Sequence, residues 1–192
     1  MKPRVVIVGG GVMGAATASF LARDHGVAAT VLEREPHFTR ASSALSASSI
    51  RQQFSQPVNI ALSRWSLGFL RRAGEALAVG DERPALGLVE PGYLYLAGER
   101  GAQVLRDNHA VQRAAGADVA LLSPEALVQR FAWMSVDGLA LGSLGLSGEG
   151  WFDGPALHQA FRRHAAALGA TMLEGEAVDF AKDKGLPFTV LG

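Results

Sequence analysis

An α/β fold built on a parallel sheet is predicted for this chain by three observations. A β-branched run, Val5-Val6-Ile7-Val8, leads straight into glycines at positions 9, 10, 11 and 14. An alanine-rich, helix-favouring stretch follows from Met13 to Ala22, and a second apolar run, Ala29–Glu33, lies beyond it. Strand, turn, helix and strand in that order make a βαβ unit with parallel strands. The bulk composition agrees. A chain of 192 residues, 48% hydrophobic and 19% charged, can bury a sizeable core as one domain or one domain plus part of a second.

The first stretch has a competing reading. Met1-Lys2-Pro3-Arg4 followed by an uncharged run to Ala22 outlines a secretory signal peptide, and the run approaches the roughly 20 residues of a membrane span. The glycines break it, each costing about 1 kcal/mol in a helix relative to alanine. Its character also changes midway from β-branched to alanine-rich. We therefore expect no integral membrane segment and a cytoplasmic protein. Lys plus Arg and Asp plus Glu each total 18, for a net charge of +0, which argues against a nucleic-acid partner. The absence of cysteine excludes disulfides, thiolate zinc sites and cysteine nucleophiles.

The remaining elements follow in order. Strand Arg4–Val8, turn Gly9–Gly11, helix Val12–Asp24 ending near Gly26 and strand Ala29–Glu33 form the opening unit. Ser42–Ser49 is small and polar and reads as a loop. A helix starts near Pro57, a residue suited to the first turn, with Val58, Ala61, Leu62, Trp65 and Phe69 at helical spacing on one face and Trp65 and Phe69 assigned to the core. Leu86–Val89 and Tyr93–Ala97, separated by Glu90-Pro91-Gly92, look like a hairpin. Arg100–Ala115 and Ser123–Arg130 are helical, the second capped by Ser123 with Pro124 in its first turn. Leu139–Leu146 is extended, Asp153 caps a helix running to about Leu168, and Thr171–Leu173 and Ala177–Phe180 are short strands. Residues 182–192 read as an irregular tail.

Gly9-Gly10-Gly11-Val12-Met13-Gly14 matches the dinucleotide fingerprint G-x-G-x-x-G, with Glu33 closing the next strand. Gly9 permits the tight turn, Gly11 lets backbone approach a pyrophosphate, and Gly14 lets helix pack on strand. The helix N-terminus offers free N–H groups and a partial positive charge. Glu33 suits the ribose hydroxyls and disfavours a 2′-phosphate. The fold class is thus a Rossmann-like FAD- or NAD(P)-binding domain, and the fingerprint alone does not choose between FAD and NAD. A glycine turn in an ordinary βαβ unit is the plainer alternative.

Beyond the fingerprint, the Ser42–Ser49 loop has hydroxyls able to bond phosphate without adding charge, although in isolation it reads as a flexible linker. Arg51, with no acidic neighbour in sequence, could grip a carboxylate by paired hydrogen bonds or serve as a surface or ion-paired arginine. His25, His37, His109, His158 and His164 are scattered and read as solvated positions rather than metal ligands. No G-x-S-x-G or P-loop is present, which counts against hydrolase and kinase readings.

The stretch from Ser42 to Leu70, with Ile50-Arg51-Gln52-Gln53-Phe54 at its centre, resembles the D-amino-acid-oxidase-like (DAO) superfamily of FAD-dependent oxidoreductases. That superfamily includes sarcosine, glycine and dimethylglycine oxidases and dehydrogenases. The Ile50–Phe54 segment is most similar to a branch containing a mitochondrial respiratory-complex assembly factor. Gly92-Tyr93-Leu94-Tyr95-Leu96, Leu122-Ser123-Pro124-Glu125 and Gly148-Glu149-Gly150-Trp151-Phe152-Asp153 extend the resemblance over about Val5 to Val178. It implies FAD as cofactor and a β-sheet substrate domain inserted between pieces of the nucleotide-binding domain. The expected division is 1–85 and 151–181 in the FAD-binding domain, 86–150 in the substrate domain, and a tail.

The resemblance implies site residues one by one. Gly9, Gly11, Val12, Met13 and Gly14 form the pyrophosphate loop; Glu33 meets ribose and Arg34 covers the adenine side. Ser42 and Ser43 meet the pyrophosphate and ribityl chain, Ser46, Ala47 and Ser48 bring backbone to the isoalloxazine, and the backbone of Val178 meets adenine. Arg51 holds a substrate carboxylate. The implied reaction is oxidation of an amine or amino acid by hydride transfer to flavin. The implied partners are that substrate and an electron-acceptor protein or a C-terminal half. Family members are markedly longer, so the chain is expected to be an N-terminal portion. A non-catalytic assembly protein retaining the fold and a plain NAD-binding module are the alternatives.

Overall fold

Alternation of apolar runs with glycine punctuation produces a chain of short strands and medium helices. The computed structural model describes residues 4–183 and 186–191. In chain order the elements are β1 (Val6–Val8), α1 (Val12–His25), β2 (Thr30–Glu33), β3 (Ser49–Ile50), α2 (Pro57–Leu70), α3 (Ala73–Ala76), β4 (Leu94–Ala97), α4 (Glu99–Ala114), β5 (Val119–Leu122), α5 (Pro124–Arg130), β6 (Leu141–Gly145), β7 (Gly150–Trp151), α6 (Gly154–Ala167), β8 (Thr171–Glu174), β9 (Ala177–Asp183) and β10 (Leu186–Leu191). They divide into two compact units, one of Met1–Ser48, Ala73–Leu86 and Asp153–Gly192, the other of Ser49–Arg72 and Gly87–Phe152. The segment 49–72 groups with the second unit. The reason is pairing: Ile50 pairs with Gly150, and Ile60 packs on Ala117 and Val119.

In the first unit β1, β2 and β8 form a parallel sheet in that order, with Val8 opposite Leu32 and Glu33 opposite Glu174. The opening residues, whose composition also outlines a signal or a span, form the expected strand, turn and helix. Among the described residues no helix is long and apolar enough to cross a membrane. Alanines let α1 and α6 lie close: Ala18, Ala29, Val31, Ala165 and Ala170 share one core, flanked by Val5, Ile7 and Met172. Burying small side chains costs almost no rotamer entropy. Gly26, at φ +61, ends α1 in the left-handed conformation that glycine adopts without penalty. Asp153 caps α6 by accepting a 2.8 Å bond from the Ala156 N–H. The tail expected to be irregular instead contributes to a hairpin of β9 with β10; residues 184, 185 and 192 lie outside the described residues.

In the second unit β4, β6 and β5 form an antiparallel sheet in that order, and Ser123 caps α5 through the Ala126 N–H. The expected hairpin does not form. Tyr93–Ala97 supplies β4, whose partner is β6, while Val89 bridges to Trp151. The intervening Glu90-Pro91-Gly92 is pulled elsewhere. Glu90 binds Arg71 and the Gly148 N–H, and the Gly92 N–H is donated to the Glu149 carbonyl. The α2 expectation also needs correction. Ile60, Leu67 and Leu70 face the core, whereas Val58, Leu62 and Trp65 are exposed, Trp65 by 61%, and Phe69 stacks on Trp65. This helix is apolar on both sides, so periodicity alone could not select the buried one.

Glu149, fully buried, organises this unit. Its Oε1 accepts from the Gln52 N–H at 2.6 Å and the Gln53 N–H at 3.1 Å. Its Oε2 accepts from the Gln53 side-chain amide at 2.9 Å and the Tyr93 N–H at 3.2 Å. A buried carboxylate is tolerated only when its lone pairs are occupied in this way.

Two outcomes follow from this packing. Glu149→Leu strands these donors and should lower stability by about 3 kcal/mol, read as a reduced urea midpoint; a wild-type midpoint contradicts the assignment. Burial pushes the His158 and His164 imidazoles below their ordinary 6.5, so the unfolded chain binds protons more readily than the native one as pH falls. Stability should therefore decline from pH 6.5 downward, over the window to the depressed native values. A melting temperature flat across that window refutes it.

Candidate functional site

The first unit's site begins at the turn between β1 and α1. Gly9, at φ +99, makes a turn closed to side chains, and its N–H bonds the Leu32 carbonyl at 2.8 Å. A Cβ on Gly14 would stand 1.9 Å from the Gly9 carbonyl oxygen, so only glycine lets α1 start this close to β1. At Gly11 the situation reverses. Its φ of −60 suits any residue, and a Cβ there would meet nothing within 4 Å; glycine keeps space clear rather than relieving strain. No side chain caps α1, so the first-turn N–H groups lack an intrahelical acceptor.

These groups line a cleft of about 860 Å3 whose walls include Val8, Gly9, Gly11, Val12, Met13, Gly14, Glu33, Arg34, Ser42 and Ser43. Nine residues singled out from the sequence thus sit along one cavity: the five of the loop, Glu33, Arg34 and the two serines. Ser46, Ala47 and Ser48 belong to the same loop without lining it. Ser46 Oγ accepts from the Ser48 N–H at 3.0 Å, and Ser48, at φ +48, sits against Gly154 at the start of α6. Val178 is exposed, and its neighbour Ala177 lines the cleft. Arg51 belongs to the second unit, where its guanidinium lies 5.2 Å over the Phe54 ring and its carbonyl accepts from Ser63.

Glu33 does more than the motif predicts. Its Oε2 accepts from the Gly10 N–H at 2.7 Å and its Oε1 from the Glu35 N–H at 2.8 Å. A carboxylate has about four acceptor positions, so two remain for ribose hydroxyls. Arg34 pairs with Glu176 at 3.1 Å, both exposed. With Glu33 and Glu35 beside them, this end of the cleft has little to hold a 2′-phosphate. Arg40, whose guanidinium makes no ion pair among the described residues, adds a positive charge to the wall.

Sequence reasoning missed Glu35, Phe38, Arg40, Ala41, Gly175 and Glu176, which line the cleft, because none belongs to a spaced motif. It also misplaced two histidines. His158 and His164 are buried rather than solvated; His164 Nδ1 lies 2.8 Å from Ser19 Oγ, and His158 Nε2 lies 2.8 Å from the Gly10 carbonyl oxygen. Among the described residues no group of three His, Cys, Asp or Glu could hold a metal.

A dinucleotide fits this donor set. The open space over Gly11 admits a diphosphate, the unpaired helix N–H groups suit its charge, and Glu33 retains capacity for a ribose. Comparison with known proteins agrees. The family model described as FAD dependent oxidoreductase (DAO) matches residues 4–191. The chain is 45% identical over 185 residues to FAD-dependent oxidoreductase domain-containing protein 1 of Xenopus laevis, covering 94% of this chain and 37% of that protein. The bovine protein of the same name is 45% identical over 181 residues, with 92% and 37% covered. Glycine oxidase from Geobacillus kaustophilus superposes with a TM-score of 0.79 at 29% identity, over 97% of this chain and 50% of that one. L-proline dehydrogenase from P. horikoshii superposes at 0.81 with 24% identity over 95% and 47%, a likeness of fold. The chain spans little more than a third of the curated relatives it matches.

Two glycine substitutions separate the roles of the loop. Gly14→Ala drives a methyl into backbone and should cost about 2 kcal/mol or more, measured by urea denaturation. Gly11→Ala should leave stability within about 0.5 kcal/mol yet weaken adenine-dinucleotide binding about ten-fold, measured by titration calorimetry. Equal effects on stability would contradict this division.

Proposed function

Because the chain belongs to the DAO family of FAD-dependent oxidoreductases, whose cofactor is FAD, we propose that it forms the FAD-holding part of an amine or amino-acid oxidoreductase. The observation that carries the reading is the glycine-floored cleft at the N-terminus of α1 with Glu33 at its rim. The Gly11, Val12 and Met13 N–H groups would receive the diphosphate, as the partial positive charge of α1 favours an anion there. Glu33 would accept from a ribose, with Arg34, Ala177 and the Val178 backbone at the adenine end. Ser42 and Ser43 line the wall toward the ribityl chain, and their hydroxyls bond without introducing charge. The Ser46-Ala47-Ser48 backbone, kept small, would allow approach of the isoalloxazine.

When bound, FAD would supply the acceptor for a hydride from the carbon that bears the amine. The protein's own task is to bind and orient. Arg51 would hold the substrate carboxylate; its side chain makes no ion pair among the described residues, it is half-buried, and the Phe54 ring supports its guanidinium. Its fork geometry suits two parallel hydrogen bonds. The name of one structural neighbour, glycine oxidase from Geobacillus kaustophilus, supports an amino-acid substrate class.

Addition of FAD to the purified chain should give a protein-bound flavin absorbance band that survives gel filtration; failure to take up FAD would sink the reading. In the full-length enzyme Arg51→Ala should reduce kcat/KM about 30-fold or more for carboxylate-bearing amines, chiefly through KM. It should leave flavin content and turnover of amines lacking a carboxylate unchanged. An equal loss on both amine classes removes Arg51 from substrate recognition.

A further inference from the structure

His158, a buried histidine on α6 that no motif singled out, touches the glycine loop from behind. Its side is 6% exposed, and its Nε2 lies 2.8 Å from the Gly10 carbonyl oxygen. A carbonyl can only accept, so the contact places the ring proton on Nε2. Loss of solvent lowers the ring's pKa below its ordinary value, against the opposing pull of the Gly10 bond, so at neutral pH the imidazole is uncharged. The Phe38 ring stands edge-on to it at a centroid distance of 4.5 Å. Phe38 is itself held at φ +58, with the Arg162 guanidinium 4.8 Å over its ring. The imidazole is thus packed in one orientation.

What it grips is a single peptide plane. The Gly10 C=O and the Gly11 N–H belong to one trans peptide and point in opposite directions. Drawing the carbonyl toward α6 therefore turns the Gly11 N–H away from α6. The preceding peptide is held too, because the Gly10 N–H is donated to Glu33. Three consecutive glycines have broad φ and ψ freedom, so without external holds their N–H groups would have no settled aim. Resting on the dinucleotide reading above, we propose that His158 is a positioning residue of this site. Its Nε2–H holds the Gly10–Gly11 peptide so that the Gly11 N–H is aimed at the diphosphate of the bound dinucleotide.

The test compares the full chain with His158→Gln and His158→Asn, titrated with FAD by flavin fluorescence, alongside unfolding midpoints of the FAD-free proteins. Glutamine places an amide nitrogen where Nε2 sits; asparagine falls short of Gly10. His158→Gln should bind FAD within about two-fold of wild type and His158→Asn about ten-fold more weakly, with similar FAD-free midpoints. Wild-type affinity in His158→Asn, or equal weakening of both variants, overturns the proposal while leaving the FAD reading intact. A wild-type chain that takes up no FAD overturns the reading and the proposal with it. Nitrogen NMR of the wild-type ring at neutral pH, which needs no variant to fold, should show the proton on Nε2. A proton on Nδ1 alone also overturns the proposal.

Discussion

The approach of Gly14 to the Gly9 carbonyl is the constraint on which the first unit depends. Any larger side chain would push the start of α1 away from β1, and with it the N–H groups that face the cleft. Because α1 begins where β1 ends, the helix dipole and the open space over Gly11 coincide at one point. The contact of α1 with α6 uses the same economy of size where Ala18 and Ala165 are fully buried, and is flanked by Phe20 against Phe161 and Ser19 against His164.

Polar groups hold the loop as firmly as sterics shape it. Glu33 serves the chain before it serves any ligand, since its two oxygens accept from Gly10 and Glu35. An acidic residue at the end of β2 therefore serves the fold, and the ribose contact proposed for it is compatible with that service because a carboxylate has acceptor capacity to spare. The second unit repeats the device with Glu149, whose oxygens gather Gln52, Gln53 and Tyr93. There the close approach is bounded by Gly145, where a Cβ would fall 1.9 Å from Glu149 Oε2. In both units a carboxylate replaces ladder pairing where the backbone turns away from regular structure.

The sites of disagreement between sequence pattern and structure share one cause. Periodicity reports that a face is apolar but not what lies opposite it. Helix α2 has apolar residues on two faces, and contact with Ala117 and Val119 selects Ile60 for burial and leaves Trp65 outside. Leu86–Val89 and Tyr93–Ala97 have the look of a hairpin, yet distant partners at 141–151 outcompete the local turn. The histidines reveal nothing in sequence because their partners lie far away: Ser19 for His164 and Gly10 for His158.

The sequence by itself determined what is carried by short-range sterics. That includes the strand, glycine turn and helix of residues 6–25, the caps at Ser123 and Asp153, the acid closing β2, and the loop and serines that line the cleft. Glycine and capping residues act within a few positions of themselves, so their consequences are legible locally. The tertiary structure alone decided which face of α2 is buried, which strand pairs with β4, that Glu149 lies at the centre of the second unit, and that an imidazole stands behind the dinucleotide loop. Those depend on residues tens of positions apart meeting in space, and no local spacing encodes such a meeting.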